Sequence, residues 1–331
     1  MFDPLNLTID VVLSLVIIIG LMTTMAYMTW FERRVISRLQ ARIGPNKVGW
    51  EGLLQPLADA IKLFFKEDIR PVMSDRLLYV IAPAISLFAA LIVFAVVPIG
   101  PTVSIAGVDV PLQVADLPVG VVYLLAASSL GVYGLVLGGW GSGSKYSLLG
   151  ALRAAAQVVS YELILGIAIV SVTIVSGTLS LGGIVAAQSS SAWYVVLQPV
   201  AFVLFMIAAV AETNRAPFDL PEAESELVAG YHTEYTGMRF AMYFIAEYVA
   251  MISMSAVAAT LFFGGWTFPF LPGGPWWLIA KMLFFLFLFV WLRATLPRLR
   301  YDQLMRLCWA VLLPIGLLNI AITAIIVAAI G

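Results

Sequence analysis

Eight stretches of this chain are apolar for long enough to cross a lipid bilayer, and that recurrence constrains the fold more than any single residue does. A spanning helix needs about 20 mostly apolar residues. Runs near 10–30, 76–98, 117–138, 150–175, 194–212, 239–263, 276–296 and 307–330 meet that length. Hydrocarbon offers backbone N–H and C=O groups no partner, so runs of this kind must be helical. Composition agrees: 62% of residues are hydrophobic and 11% charged, where soluble domains carry roughly 25% charged residues. The sequence therefore predicts an all-α polytopic membrane protein, a single membrane domain over 1–331 with about eight transmembrane helices. No cleavable signal peptide is visible, because Asp3 and Asp10 precede the first apolar run and no basic region leads into it.

Lysine and arginine placement orients the spans. Seventeen of the 18 basic residues fall in or beside connections near 31–75, 139–149, 212–238 and 297–306, and Lys281 alone falls elsewhere. This alternation predicts that those four connections face the cytoplasm and that both termini lie on the outer side. Lys281, five residues into its span from the opposite end, is expected to snorkel to the outer surface. The Gly138–Ser144 run and Gln188–Ser191 read as loops.

Within the first connection, the segment near 52–66 is too short and too charged to span. Gln55, Asp59, Lys62 and Lys66 form one polar stripe at helical spacing, opposite Leu54, Leu57, Ile61, Phe64 and Phe65. That is an amphipathic helix, which lies in the membrane interface or turns its polar stripe to a partner or cavity.

Ionisable groups inside spans are costly, on the order of 3 kcal/mol for a carboxylate at the bilayer centre. They persist where they face a cavity, a partner charge or a proton path. Glu162 sits about 18 Å along the fourth span, near mid-membrane. Glu247 lies two turns into the sixth, Glu32 and Glu212 end the first and fifth, and Arg293 lies in the seventh. No basic residue lies within one helical turn of Glu162 or Glu247, so neither is expected to have a private ion pair along its own helix. These groups could converge on one interior volume. A dense acidic connection, Ala211 to Tyr235, adds Asp219, Glu222, Glu224, Glu226 and Glu234 against the single Arg215. Its interleaved Pro217, Phe218, Pro221, Tyr231 and Tyr235 argue for an ordered, partly buried loop, and crowded buried carboxyls hold protons more tightly than free ones. His232 stands beside them as a proton-donor candidate. The single Cys308 and single His232 cannot hold an iron–sulfur cluster or a bis-histidine haem. No phosphate loop, metal-spaced Cys/His set or nucleophile elbow is present, and nothing points to nucleic acid.

These segments resemble a known family. Ala211-Glu-Thr-Asn-Arg-Ala-Pro-Phe-Asp-Leu220, Glu224-Ser-Glu-Leu-Val-Ala-Gly-Tyr-His-Thr-Glu-Tyr235, Glu32-Arg-Arg34, Gln40-Ala-Arg-Ile-Gly-Pro-Asn-Lys-Val-Gly49, Pro56 to Phe64, Ser160-Tyr-Glu162 and Pro297 to Leu304 look like the blocks of the H-type subunit of NADH–quinone oxidoreductase (respiratory complex I), the mitochondrial NADH dehydrogenase subunit 1 family. The resemblance implies a membrane-arm heel subunit where a hydrophilic arm docks and a chamber admits quinone. It implies that FMN and Fe–S clusters sit on partner subunits, that quinone is the substrate, and that neighbouring small and antiporter-like membrane subunits complete the arm. The membrane is expected to be a bacterial plasma membrane, with an organelle inner membrane as the alternative. Carried over by position, Glu32, Arg33, Arg34, Arg42, Asp59 and Lys62 would line the chamber or its entrance. Arg215, Asp219, Glu222, Glu224 and Glu226 would form its acidic wall, and Glu162, Glu212, Glu234 and Glu247 would start a proton path. Arg293, Arg298, Arg300 and Asp302 would sit at the cytoplasmic interface. The heel subunit of a membrane-bound NiFe hydrogenase, a ferredoxin- or F420-linked complex, and a stand-alone ion-coupled transporter stay open as alternatives.

Overall fold

A computed structural model describes residues 4–105, 108–221 and 224–330, with backbone alone at 4–7, 105, 108–109, 224–225 and 330. The chain is an all-α polytopic membrane protein. Its helices are α1 (Pro4–Leu39), α2 (Gln55–Phe65), α3 (Arg76–Val93), α4 (Gly120–Gly141), α5 (Lys145–Ser176), α6 (Leu181–Ser190), α7 (Tyr194–Leu197), α8 (Pro199–Glu212), α9 (Glu224–Leu227), α10 (Gly237–Phe262), α11 (Pro275–Thr295), α12 (Tyr301–Arg306) and α13 (Leu313–Ile330). A small hairpin pairs β1 (Val103–Ile105) with β2 (Val108–Val110) antiparallel. Among the described residues, seven helices are long and apolar enough to span a membrane, and α8 is a shorter apolar helix.

α10 is the centre of the bundle. Its apolar window is 78% buried, against 11% for α1 and 17% for the last helix. It packs on α3, α11 and α1, while α5 packs on α4, α8 and α13. Van der Waals fit rather than solvent exclusion drives such contacts in lipid, so small residues mark the close approaches. Gly134 on α4 shows this: a Cβ there would lie 2.0 Å from Ser86 Oγ of α3.

Four local readings change. The predicted span 194–212 is two helices broken at Gln198, whose φ of −132° and ψ of 57° are not helical. Pro199 is the cause, because its ring disfavours helical backbone at the residue before it while suiting the first turn of α8. A helix, α6, occupies residues expected to be a loop, capped by Ser180 Oγ accepting from Gly183 N. The glycine run from Gly138 is not a flexible loop: Gly138 to Gly141 finish α4, and a Cβ on Gly139 would lie 2.5 Å from the Ser147 carbonyl. Those glycines let α5 and α10 approach α4. Finally, α1 and α5 extend well beyond their predicted spans, and α12 leads through a π-wound segment, Leu307–Leu312, into α13.

The amphipathic helix is present as α2. Leu57, Ile61, Phe64 and Phe65 are exposed along it.

Candidate functional site

Three spans and one loop bring their charges to a single point. Glu32 of α1 accepts from Arg215 Nη1 at 3.0 and 3.2 Å through its two carboxylate oxygens. Arg215 Nε lies 2.5 Å from Glu247 Oε1 of α10, and Arg293 of α11 also donates to Glu32. The Arg215 guanidinium stacks 4.3 Å from the Tyr248 ring centroid. Glu32 and Arg215 are each 4% exposed. Two carboxylates and two guanidiniums balance, which is the condition under which buried charges are tolerable. Burial alone would lower the Arg215 pKa, but Glu247 and Glu32 outweigh it and hold Arg215 above the ordinary arginine value.

Glu247 has no basic neighbour within a turn on its own helix, and its ion-pair partner comes instead from the loop after α8. Arg215 is placed there by the turn that ends α8, where Thr213 Oγ1 donates back to Ala209 O at 3.1 Å and Asn214 takes a left-handed φ of 51°.

Asp219 sits beside this cluster with Arg298, Glu247, Arg293 and Arg215 as electrostatic neighbours. Burial pushes its carboxyl up to about 6, with Arg298 pulling the other way. Arg298 donates to the Asp219 carbonyl and Leu299 N donates to Pro217 O at 3.1 Å, so the connection after α11 pins the acidic loop. Arg300 and Asp302 instead pair with each other at 3.1 Å on the surface.

Glu212 and Glu247 both line a half-open cavity of about 90 Å³ between α3, α4, α5, α8 and α10. Ser128, Thr213, Asn214 and Tyr243 add polar groups to its wall. A water requires roughly 10–15 Å³ measured this way, so the space suits several hydrogen-bonded waters. Glu212 Oε2 is buried with no hydrogen-bond partner among the described residues. Glu162 is an electrostatic neighbour of Glu212 and accepts from Ser129 Oγ of α4.

A second cluster joins α1 to α2. Arg33 Nη1 lies 2.6 Å from Asp59 Oδ2, Lys62 Nζ lies 3.4 Å from Asp59 Oδ1, and Gln55 Nε2 donates to the same oxygen at 3.1 Å. Partial burial raises the Asp59 pKa, but the Arg33 and Gln55 hydrogen bonds outweigh it and hold the carboxyl below its usual range. Arg34 pairs with Glu51 and lies 5.5 Å from the Trp30 ring. Arg42 is exposed just past α1.

The remaining expected residues scatter. Glu226 pairs with Arg153 of α5, whose hydrogen bond lowers the Glu226 pKa. Glu222 lies outside the described residues, and so does the Glu224 side chain. The carbonyl of Glu234 accepts from Tyr79 Oη at 2.7 Å, which sets it at the α3–α10 junction, away from the Arg215 ion pairs. His232 packs edge-on against Tyr231 and Phe240, and burial pushes it down to about 4, so it is neutral at pH 7.

Tyr248, Ser129, Asn214, Thr213, Glu51 and Arg153 escape a reading of the sequence. Only Tyr248 leaves a signal there, an aromatic one residue from an intramembrane acid. Thr213 bonds only within its own turn, and Ser129, Asn214, Glu51 and Arg153 have partners that come from distant sequence.

Lys281 reaches the α10–α11 connection, where its ammonium donates to three carbonyls just past the end of α10.

A family profile described as NADH dehydrogenase matches residues 12–324. The chain belongs to the NADH dehydrogenase family. It is 57% identical to the NADH-quinone oxidoreductase H-type subunit of Thermomicrobium roseum, covering 98% of this chain and 97% of the relative. It is 53% identical to an H-type subunit of the same enzyme from Geobacter metallireducens, over 98% of this chain and 97% of the relative. The corresponding NADH-quinone oxidoreductase subunit of Frankia casuarinae is 54% identical over 95% of this chain and 71% of its own length. The resemblance read from the sequence blocks is borne out.

Proposed function

We propose that this chain is the membrane-arm heel subunit of a proton-pumping NADH–quinone oxidoreductase. In this reading it walls the quinone chamber and begins the proton path into the membrane arm. The observation that carries it is the continuity of the Glu32–Arg215–Glu247–Arg293 cluster with the cavity that holds Glu212, in a chain related end to end to NADH-quinone oxidoreductase subunits.

The chemistry follows from the substrate. Converting quinone to quinol takes two electrons and two protons, and FMN and Fe–S clusters on partner subunits supply the electrons. Protons drawn from the chamber wall leave negative charge behind. Asp219, poised at about 6, exchanges protons near neutral pH. Glu247 touches both the ion cluster and the cavity and is an electrostatic neighbour of Asp219, so a change of charge at Asp219 is felt at the cavity wall. Waters in the cavity carry that change to Glu212 and then Glu162. Linkage makes this coupling reciprocal: proton movement at Glu212 feeds back on protonation at the chamber.

In the same reading, Arg33, Arg34, Asp59 and Lys62 frame the chamber entrance between α1 and α2. Glu226 with Arg153, and Arg298 with the acidic loop, face the hydrophilic subunits. Small and antiporter-like subunits adjoin the rest. The basic connections face the bacterial cytoplasm and both termini the outer side.

The test is Glu212→Gln in the assembled complex, which keeps side-chain size and removes the titratable proton. The rate of coupled quinone reduction and proton translocation should fall at least about tenfold, since a positioned acid–base group speeds a proton-transfer step by at least that much, while assembly on native gels is unchanged. Full pumping by the variant would refute the path through Glu212.

A further inference from the structure

The end of α10 is built around an ammonium. Lys281 Nζ, reaching from α11, donates to Phe263 O at 2.6 Å, Gly265 O at 2.8 Å and Thr267 O at 2.6 Å. The Trp193 ring centroid lies 4.9 Å from the same nitrogen. An ammonium has three donors and no acceptor, so these three oxygens satisfy it completely.

The backbone is shaped to present them. Gly264 and Gly265 take left-handed φ values of 71° and 53°, which turn successive carbonyls to one side. The intervening Gly264 carbonyl is used up by Thr267 Oγ1 at 2.7 Å, and Gly264 N donates to Gln188 Oε1 of α6 at 3.0 Å. Gln188 is itself 2% exposed and also donates to Thr260 O at 2.9 Å. Two side chains thus hold the turn while Lys281 fills it. Carbonyls at a helix C-terminus carry partial negative charge, and a ring face adds further attraction for a cation.

We propose that Phe263 O, Gly265 O and Thr267 O form a cation cage specific for a small primary ammonium, occupied by the chain's own Lys281. By filling it, Lys281 locks the far end of the helix that carries Glu247. Lys281 is a positioning residue here, acting on the α10–α11 hairpin and touching no substrate. The cage belongs to the backbone, so it outlives the side chain: removing Lys281 leaves a site that free ammonium or methylammonium fills, whereas choline has no N–H to offer and is too bulky.

The experiment uses the purified complex carrying Lys281→Ala or Lys281→Met, with hydrogen–deuterium exchange read on the peptide covering the last two turns of α10. Lys281→Ala should exchange at least about tenfold faster there, since charge-assisted hydrogen bonds are lost at the helix end. Saturating ammonium or methylammonium should restore most of the protection, and choline at equal ionic strength none. Lys281→Met, whose thioether still occupies the stem's channel, should exchange as fast and resist rescue. If Lys281→Ala does not accumulate, its accumulation in cells grown with methylammonium against choline is read in the same way. Wild-type exchange in Lys281→Ala overturns the cage, as does equal response to methylammonium and choline in either assay.

Discussion

Removing Arg215 should do more damage than its contacts alone suggest, and the damage should be partly reversible by removing a second charge. Arg215 serves two carboxylates with one planar fork, Nη1 toward Glu32 and Nε toward Glu247. The Glu32 and Arg215 side chains are each 5% exposed and Glu247 15%, so bulk water does not reach Glu32 to replace the guanidinium. Arg215→Met leaves two buried carboxylates to the one remaining cation, Arg293. Breaking a buried ion pair from one side costs about 3–5 kcal/mol. In the double variant Arg215→Met/Glu247→Gln, Glu32 and Arg293 remain as a balanced pair. The double should therefore be more stable than Arg215→Met by about 0.5–3 kcal/mol, the range of coupling between contacting residues. Arg215→Lys should fall between wild type and Arg215→Met, because a point charge cannot reach in two directions. The assay is the thermal midpoint of the assembled complex in mild detergent, with accumulation on native gels as a second measure. A double variant no more stable than Arg215→Met would refute the charge-balance account.

Two further outcomes test the surroundings. His232 is neutral in the fold because burial lowers its pKa to about 4 from an ordinary 6.5. The unfolded chain thus binds more protons below pH 6.5, and stability is lost as pH falls from 6.5 toward 4. In His232→Phe that acid-side loss should shrink while stability above pH 7 keeps its slope, and identical pH profiles would sink the assignment. Gly138→Ala would place a Cβ 2.0 Å from Tyr243 Oη, and overpacking of this kind costs about 1–3 kcal/mol. Adding Tyr243→Phe removes the clashing oxygen and should recover part of the loss in the same thermal assay.

Much of the architecture was legible because it is local. Hydropathy over 20 residues is a property of one segment, so the spans and the class followed from it. The amphipathic stripe of α2 followed from spacing. Local signals misled where a neighbour intervened: Gly138 to Gly141 resemble a loop in isolation, yet they are helix because α5 and α10 need the room. The break at Gln198 was written in Pro199 and overridden by the apolar run around it.

The acids that matter were visible as a class, since a carboxylate inside an apolar run is costly wherever it occurs. Their partners were not. Glu32 meets Arg215 across 183 residues and Arg293 across 261, and Glu226 meets Arg153 across 73. No spacing rule links residues that far apart, because the pairing depends on how whole helices pack. The order of residues alone tells that this chain lives in a bilayer, which family it resembles and which acids need shelter. Only the packed bundle makes Glu247 both an ion-pair partner and a cavity wall, and brings Lys281 onto the carbonyls that follow α10. Burial and charge balance are properties of the packed bundle and exist in none of its segments.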